Sequence, residues 1–327
     1  MSSSVRSYPI RPAGVLSSPP VSGKAFRHWA RQVRSCHPGE VPLSIAADAA
    51  RAAVAAAAAF GVAGAEPLIL ADGANVIVHL RPSPVVAKVA ASTPAVRADV
   101  GAWLQRELDL ALFLERAGAP VMAPSREVPA TVHHRDGHVM SFWTYLKPDG
   151  PGLADEGTVG SMLRDLHAVL RTYPGSLPVL APLGDIPAFL ARPQTLLAAA
   201  DVCLLTETYT RLTGDLASAA APEQVLHGDA GVGNLMAADG RWVWHDFEDT
   251  CSGPVAWDLA ATTASPRLDR SRILAAYGDP VDPVQLRTCE QLRRLSLTIW
   301  YALYAERLPE CRPRAAELLA TWRPPGS

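Results

Sequence analysis

Residues 227–258 read HGDAGVGNLMAADGRWVWHDFEDTCSGPVAWD, and the order of turn formers and apolar runs brings three oxygen-bearing side chains to one point. Asp239-Gly240 is a two-residue hairpin signal, because a type I′ turn needs φ > 0 at both central positions. Apolar runs flank it, Asn234-Leu235-Met236-Ala237 before and Trp242-Val243-Trp244 after. If Ala238 pairs with Arg241, counting outward sets Asn234 opposite His245, one residue from Asp246. Asp229 precedes Asn234 on a loop that holds Gly231 and Gly233 and follows the short apolar run Val225-Leu226. Two carboxylates and an amide so placed suit phosphoryl transfer from a metal-bound nucleotide. One carboxylate faces the attacking hydroxyl, while the other and the amide hold Mg²⁺ against the triphosphate.

An HGD tripeptide, an Asp-Gly turn or an Asp at a strand end is each common alone; HGDxxxxN, a hairpin and DFE in succession is specific. HGDAGVGN followed by WHDFEDTCSGPVAWDLA resembles the signature of the aminoglycoside phosphotransferase family, small-molecule kinases with a protein-kinase-like fold, and the likeness extends over most of residues 66–265. The resemblance implies an α+β, two-lobed architecture: a small antiparallel-sheet lobe and a larger, mainly helical one. It also implies that Asp229 is the catalytic Asp, that Asn234 and Asp246 are the metal ligands, that Asp258 buttresses the catalytic loop and that His227 supports it.

A phosphate-gripping lysine is then required upstream. Leu68-Ile69-Leu70, Asp72-Gly73-Ala74-Asn75 and Val76 to Leu80 read as strand, tight turn, strand. Such a hairpin tip can lay backbone N–H groups over phosphates, which makes Gly73 and Asn75 cofactor-binding candidates. It holds a single glycine, and no GxxxxGK[ST] occurs in the chain. The next strand, Val85 to Ala90, places Lys88 among apolar residues. An edge or solvated lysine is the common alternative, but the chain has only Lys24, Lys88 and Lys147 among its 30 Lys and Arg residues. Lysine is therefore kept where arginine is not equivalent, and a compact ammonium at the α/β-phosphates is one such place. Asn75 and Asn234 are likewise the only asparagines.

The spacing of Val100, Leu104, Leu108, Ala111 and Leu112 predicts a helix over roughly 97–116 with one buried face. Glu107 lies on or beside that face and needs a partner there, which Lys88 can supply; Glu115 is a weaker competitor. Residues 106–120 also resemble the corresponding helix of the same family. Val139 to Leu146 reads as the last strand of the small lobe running into a hinge, with backbone near Trp143 to Leu146 facing the purine. Lys147 to Gly152 is dense in turn formers, and a helix follows over Gly157–Leu170, in which His167 has a structural role.

The domain plan is a disordered Ser/Pro-rich tail over 1–24, a helical extension over 25–65, a nucleotide-binding lobe over 66–146 and a catalytic lobe over 147–327. At 327 residues two lobes are expected, and a net charge of −2 with pI near 6.5 gives no basic footprint for nucleic acid. Five cysteines without a CxxC pair read as reduced thiols in a cytoplasm. No apolar h-region or membrane-length run is expected. Ala46 to Phe60 predicts a packed alanine-rich helix, and His133, His134 and His138 lack a convincing fourth zinc ligand.

Asp246 and Asp258 are too close for a peptide-binding platform, which disfavours a protein substrate. From Leu286 onward the chain holds seven Arg against four Glu, the reverse of what a polycationic acceptor needs. The expected activity is ATP- and Mg²⁺-dependent phosphorylation of a small-molecule hydroxyl, on an aminoglycoside-like antibiotic or a hydroxylated metabolite. The alternative is a catalytically silent nucleotide-binding regulator of the same fold; it predicts loss of a key residue, and none is lost.

Overall fold

The computed structural model describes residues 45–150, 152–193, 195–219 and 223–324; the expected tail, Cys36 and the first part of the expected helical extension, up to residue 44, lie outside them. Helix α1 (Ile45–Ala58) leads into strands β1 (Glu66–Asp72), β2 (Asn75–Arg81) and β3 (Val85–Ala90), then helix α2 (Val100–Arg116) and strands β4 (His133–Arg135) and β5 (His138–Thr144). The five strands form one antiparallel sheet in the order β1-β2-β3-β5-β4.

Strand β3 is buried along its whole length because both sheet faces are covered. Its side chains alternate between faces. Val85, Ala87 and Val89 join the alanines of α1 and Val76, Val78, Leu80, Met140 and Phe142 in one core. Val86 and Ala90 face the other way and pack in clusters with Leu108 and Ala111, or Leu104, of α2. The alternation puts Lys88 on the α2 face. Alanine along α1 lets a helix lie close against the sheet, so this segment completes the small-lobe core.

The α2 helix begins later than its periodicity predicts. Asp99 accepts a hydrogen bond from the Ala102 N–H at 3.0 Å and caps the helix. Arg97 is thereby left outside the helix, which matters below. After β5 the connector is pinned to the hairpin around Asp239-Gly240: Asp149 N–H donates to Ala237 O at 3.0 Å, and Gly240 N–H to Asp149 Oδ2 at 2.9 Å.

The large lobe contains α3 (Glu156–Leu170), α4 (Asp185–Leu190), α5 (Ala199–Ser218), β6 (Gln224–Leu226), β7 (Leu235–Ala238), β8 (Arg241–Trp244), β9 (Cys251–Gly253), α6 (Val255–Thr262), α7 (Arg270–Tyr277), α8 (Pro283–Arg307) and α9 (Arg312–Ala320). Its core joins Leu163, Leu166, Phe189, Trp244, Phe247, Trp257, Leu292 and Ile299. Helices α3 and α7 cross so closely at Gly160 that a Cβ there would lie 2.4 Å from Ile273 O. No helix among the described residues is long and apolar enough to cross a membrane.

Candidate active site

The hairpin register is the one counted from the sequence. Leu235 faces Trp244 and Ala238 faces Arg241, and His245 N–H donates to Asn234 O at 3.0 Å. Asn234 is thus fixed beside His245-Asp246. Its Nδ2 donates back to Asp229 O at 2.8 Å and Asp229 Oδ2 at 3.1 Å. Asp246 has φ +64°, a left-handed conformation that turns the chain sharply after β8.

The loop bearing Asp229 is held from behind by fully buried groups. Asp258 accepts from His227 N–H at 2.8 Å and Gly228 N–H at 2.9 Å, and its Oδ2 bonds His167 Nε2 at 2.9 Å; His167 Nδ1 in turn meets the Tyr277 hydroxyl at 2.9 Å. Gly228 has φ +87°, and a Cβ on it would come within 1.8 Å of Asp249 O, so only glycine fits.

The His227 imidazole is neutral. Its Nδ1 accepts from Asp229 N–H at 3.3 Å, which leaves Nε2 to donate to His245 O at 3.1 Å. Burial pushes its pKa down to about 4 from 6.5, against the pull of Asp258 and Asp246. Protonation would set an N–H against that of Asp229. The folded-state value lies below the unfolded one, so the contribution is complete above pH ~6.5 and is lost as pH falls toward 4, about 3 kcal/mol in all. Urea midpoints measured from pH 7.5 to 4.5 should show this slope, and a His227→Gln variant should be missing it.

Lys88 is the hub between lobes. The residue is 5% exposed, and its Nζ donates to Glu107 Oε2 at 2.8 Å and Asp246 Oδ1 at 2.6 Å, and pairs with Glu248 Oε2 at 3.0 Å. Glu115, the competing partner, pairs instead with Arg126. Burial would lower the lysine, but the three carboxylates hold its ammonium well above the usual range. Burial would likewise raise Asp246, yet Lys88 holds it down at about 2. Burial pushes Glu107 up, against the pull of Lys88.

Residues outside the sequence reading complete the cluster. Glu248 also accepts from Asn75 Nδ2 at 2.6 Å and from Arg97 Nη1 at 2.8 Å. Arg97 reaches across from the small lobe to Asp185 Oδ2 at 2.7 Å and Asp249 Oδ1 at 2.6 Å, with its guanidinium 3.7 Å from the Trp103 ring centroid and 5.5 Å from that of Trp300. Glu107, Asp185, Asp246, Glu248 and Asp249 therefore share Lys88 and Arg97, and the cluster is short of positive charge.

Helix α8 walls the cleft with one stripe, since Arg293, Leu297, Trp300, Tyr304 and Arg307 recur every three or four residues. At one end Arg293 pairs with Asp229 Oδ1 and donates to Gly228 O at 2.8 Å. At the other end Arg307 pairs with Asp72 and donates to Gly73 O and, at 3.2 Å, to Ser92 Oγ. The turn at Gly73 is thus tied to the large lobe.

A hard divalent cation fits the donor set. Lys88 takes Oδ1 of Asp246 and Asp229 takes Nδ2 of Asn234, so Asp246 Oδ2 and Asn234 Oδ1 are the oxygens that would be available to such a cation. Asn75 Oδ1 is buried without a hydrogen-bond partner among the described residues. Among the described residues no group of three or more His, Cys, Asp or Glu is placed to hold a metal ion. In the hinge, Thr144 and Tyr145 spend their N–H groups on Ala123 O at 3.0 Å and Pro84 O at 2.8 Å. The Tyr145 ring stacks on His79, 3.8 Å between centroids.

Comparison with known proteins agrees with this geometry. The model of a phosphotransferase enzyme family matches residues 71–289, so the chain belongs to that family. Amicoumacin kinase hAmiN, solved with AMP-PNP, Ca²⁺ and Ami, superposes with a TM-score of 0.59 at 13% identity, covering 78% of this chain and 87% of that one. A microcompartment-associated aminopropanol kinase gives 0.56 at 19%, covering 79% and 90%. A choline/ethanolamine kinase family protein from Mesorhizobium loti gives 0.52 at 17%, covering 85% and 99%. No curated protein matches the chain by sequence. The fold is the two-lobed, kinase-like one, and the enzyme is a small-molecule kinase.

Proposed function

We propose that this member of the phosphotransferase enzyme family transfers the γ-phosphate of ATP to a hydroxyl of a small molecule, an aminoglycoside-like antibiotic or a hydroxylated metabolite. Asp229 is the base, Asn234 and Asp246 are the Mg²⁺ ligands, and Lys88, oriented by Glu107, grips phosphate. The turn at Gly73 and Asn75 covers the phosphates. The observation that carries this reading is the continuous polar path from Lys88 through Asp246 to Asn234 and Asp229, spanning both lobes.

When bound, the cation neutralises the charge that develops on the transferring phosphoryl group. The protein's part is positioning. Asp229 orients the acceptor hydroxyl and takes its proton, while Asn234 fixes the second oxygen of that carboxylate. The three donors of the Lys88 ammonium are committed to Glu107, Asp246 and Glu248, so one of these contacts has to be given up for Lys88 to grip phosphate. The segment between Asp246 and Asp258, filled by turns, β9 and the start of α6, leaves no peptide platform and supports a small acceptor.

The test incubates the protein with Mg·ATP and a panel of aminoglycosides, other hydroxylated antibiotics, sugars and amino alcohols, with mass spectrometry to detect the mass gain of one phosphate. A product absent with Asp229→Ala supports the reading. Nucleotide binding without any product favours a silent nucleotide-binding regulator, and no nucleotide binding sinks both.

A further inference from the structure

The loop 227–234 that carries Asp229 has no cation of its own: His227 is neutral, and residues 230–233 are Ala, Gly, Val and Gly. The positive charge beside Asp229 comes instead from Arg293, far along the chain on α8. The Arg293 side chain is 19% exposed against 39% for Asp229, so the guanidinium lies deeper than the carboxylate it meets. It sits over the Trp257 ring, 5.0 Å from the centroid. Two of its five N–H donors are engaged, one on Gly228 O and one on Asp229 Oδ1. Burial brings its pKa down to about 10, so it stays charged at neutral pH.

We propose that Arg293 is a specificity-determining residue whose guanidinium takes an anionic group of the acceptor beside the hydroxyl that Asp229 engages, so that the acceptor is a hydroxy acid. This rests on the kinase reading above and names its substrate class. An ammonium approaching Asp229 would find that carboxylate already neutralised and a guanidinium beside it, and like charges so juxtaposed reject a ligand. Asp185, Glu248 and Asp249 are each engaged by Arg97, not by Arg293. The α8 stripe itself bears arginine at both ends and no carboxylate between them, and its middle offers Leu297, 43% exposed, with Trp300 and Tyr304. An anion, in contrast, gains a largely buried planar fork that Asp229 and Gly228 O already hold in place.

The test uses two matched series that differ only in the end group: glycerate, glycerol and aminopropanediol, and gluconate, glucitol and glucamine. The full chain is assayed with Mg·ATP for phosphate gain. Binding is read separately as the Tm shift of protein loaded with Mg·AMP-PNP. The acid of each series should be preferred by at least about tenfold. Arg293→Gln should abolish that preference chiefly through the acid's KM or Tm shift, whereas Arg293→Lys, which keeps the charge but not the fork, should retain part of it. Arg294→Gln, at an exposed neighbour that bonds Thr321 O, should change nothing. Preference for the amine overturns the proposal, and so does absence of discrimination, whether all three compounds act or none does. The kinase reading fails by a different result, loss of Mg²⁺-dependent AMP-PNP binding in the unsubstituted protein.

Discussion

Asp229→Ala should lower turnover about 10²–10⁴-fold, on the order of 3–5 kcal/mol of barrier, while leaving Mg·nucleotide affinity near its starting value. The carboxylate is poised for this role by both oxygens: Oδ1 meets Arg293 and Oδ2 accepts from Asn234 at 3.1 Å. Neither contact involves Lys88, Glu107 or the Gly73 turn, so the nucleotide side has no reason to change. Truncation to Ala does strip Arg293 of its counter-charge, and part of any loss could then arise from a disturbed loop. Asp229→Asn separates the two effects. It keeps the shape and a hydrogen-bonding oxygen but cannot take a proton, so its turnover should fall nearly as far while its Tm falls less. The measurements are kcat, KM, nucleotide Kd and Tm for both variants. Near-full turnover of Asp229→Asn would falsify the assignment of the base.

The parts of this site that were legible in the sequence are those set by short-range geometry. Asp239-Gly240 fixed the hairpin register, which carried Asn234 to His245 and hence to Asp246. Period-two alternation along β3 and the helical period of α2 set Lys88 and Glu107 on facing surfaces, and a buried carboxylate opposite a buried ammonium had little choice of partner. Arg97, Arg293 and Arg307 were not legible in this way. Each is paired with a carboxylate far away in the chain, through the docking of the lobes and of α8. Helical periodicity can show that Arg293 and Arg307 share a stripe, but not what the stripe faces. Arg97 was further obscured because the apolar period of α2 extends naturally back over it, and only the Asp99 cap ends the helix short. Glu248 lay inside the DFE motif; its position two residues beyond Asp246 was the available signal. For α1 the alanine pattern gave the helix, but the sheet it covers depends on a surface that no local pattern describes.

Lys88→Met should be the most damaging substitution to the fold of the cleft, with a loss of about 3–5 kcal/mol of stability together with loss of phosphotransfer. The side chains are close in length, so packing of the stem is preserved and the charge is what is removed. Glu107 and Glu248, 1% and 4% exposed, would then face each other and Asp246 without their shared ammonium. Arg97 still neutralises one side of Glu248, but Glu107 keeps no cation within the cluster. Such carboxylates respond by taking up protons, so their folded-state pKa rises above the unfolded value. The sign of the pH dependence follows. A carboxyl whose folded pKa is raised contributes fully below its unfolded value and loses that contribution as pH climbs through the folded one. The variant should therefore be least stable at neutral and alkaline pH, and its Tm should approach that of the parent protein as pH falls toward 5. Stability and catalysis can be separated by Lys88→Met combined with Glu107→Leu, which removes both ends of the pair. The double variant should recover much of the lost Tm because no buried carboxylate is stranded on α2, yet remain inactive because the phosphate-gripping ammonium is gone. Recovery of activity along with stability would show that Lys88 serves the fold alone, and the nucleotide-side assignment would have to move to Arg97 or Arg307.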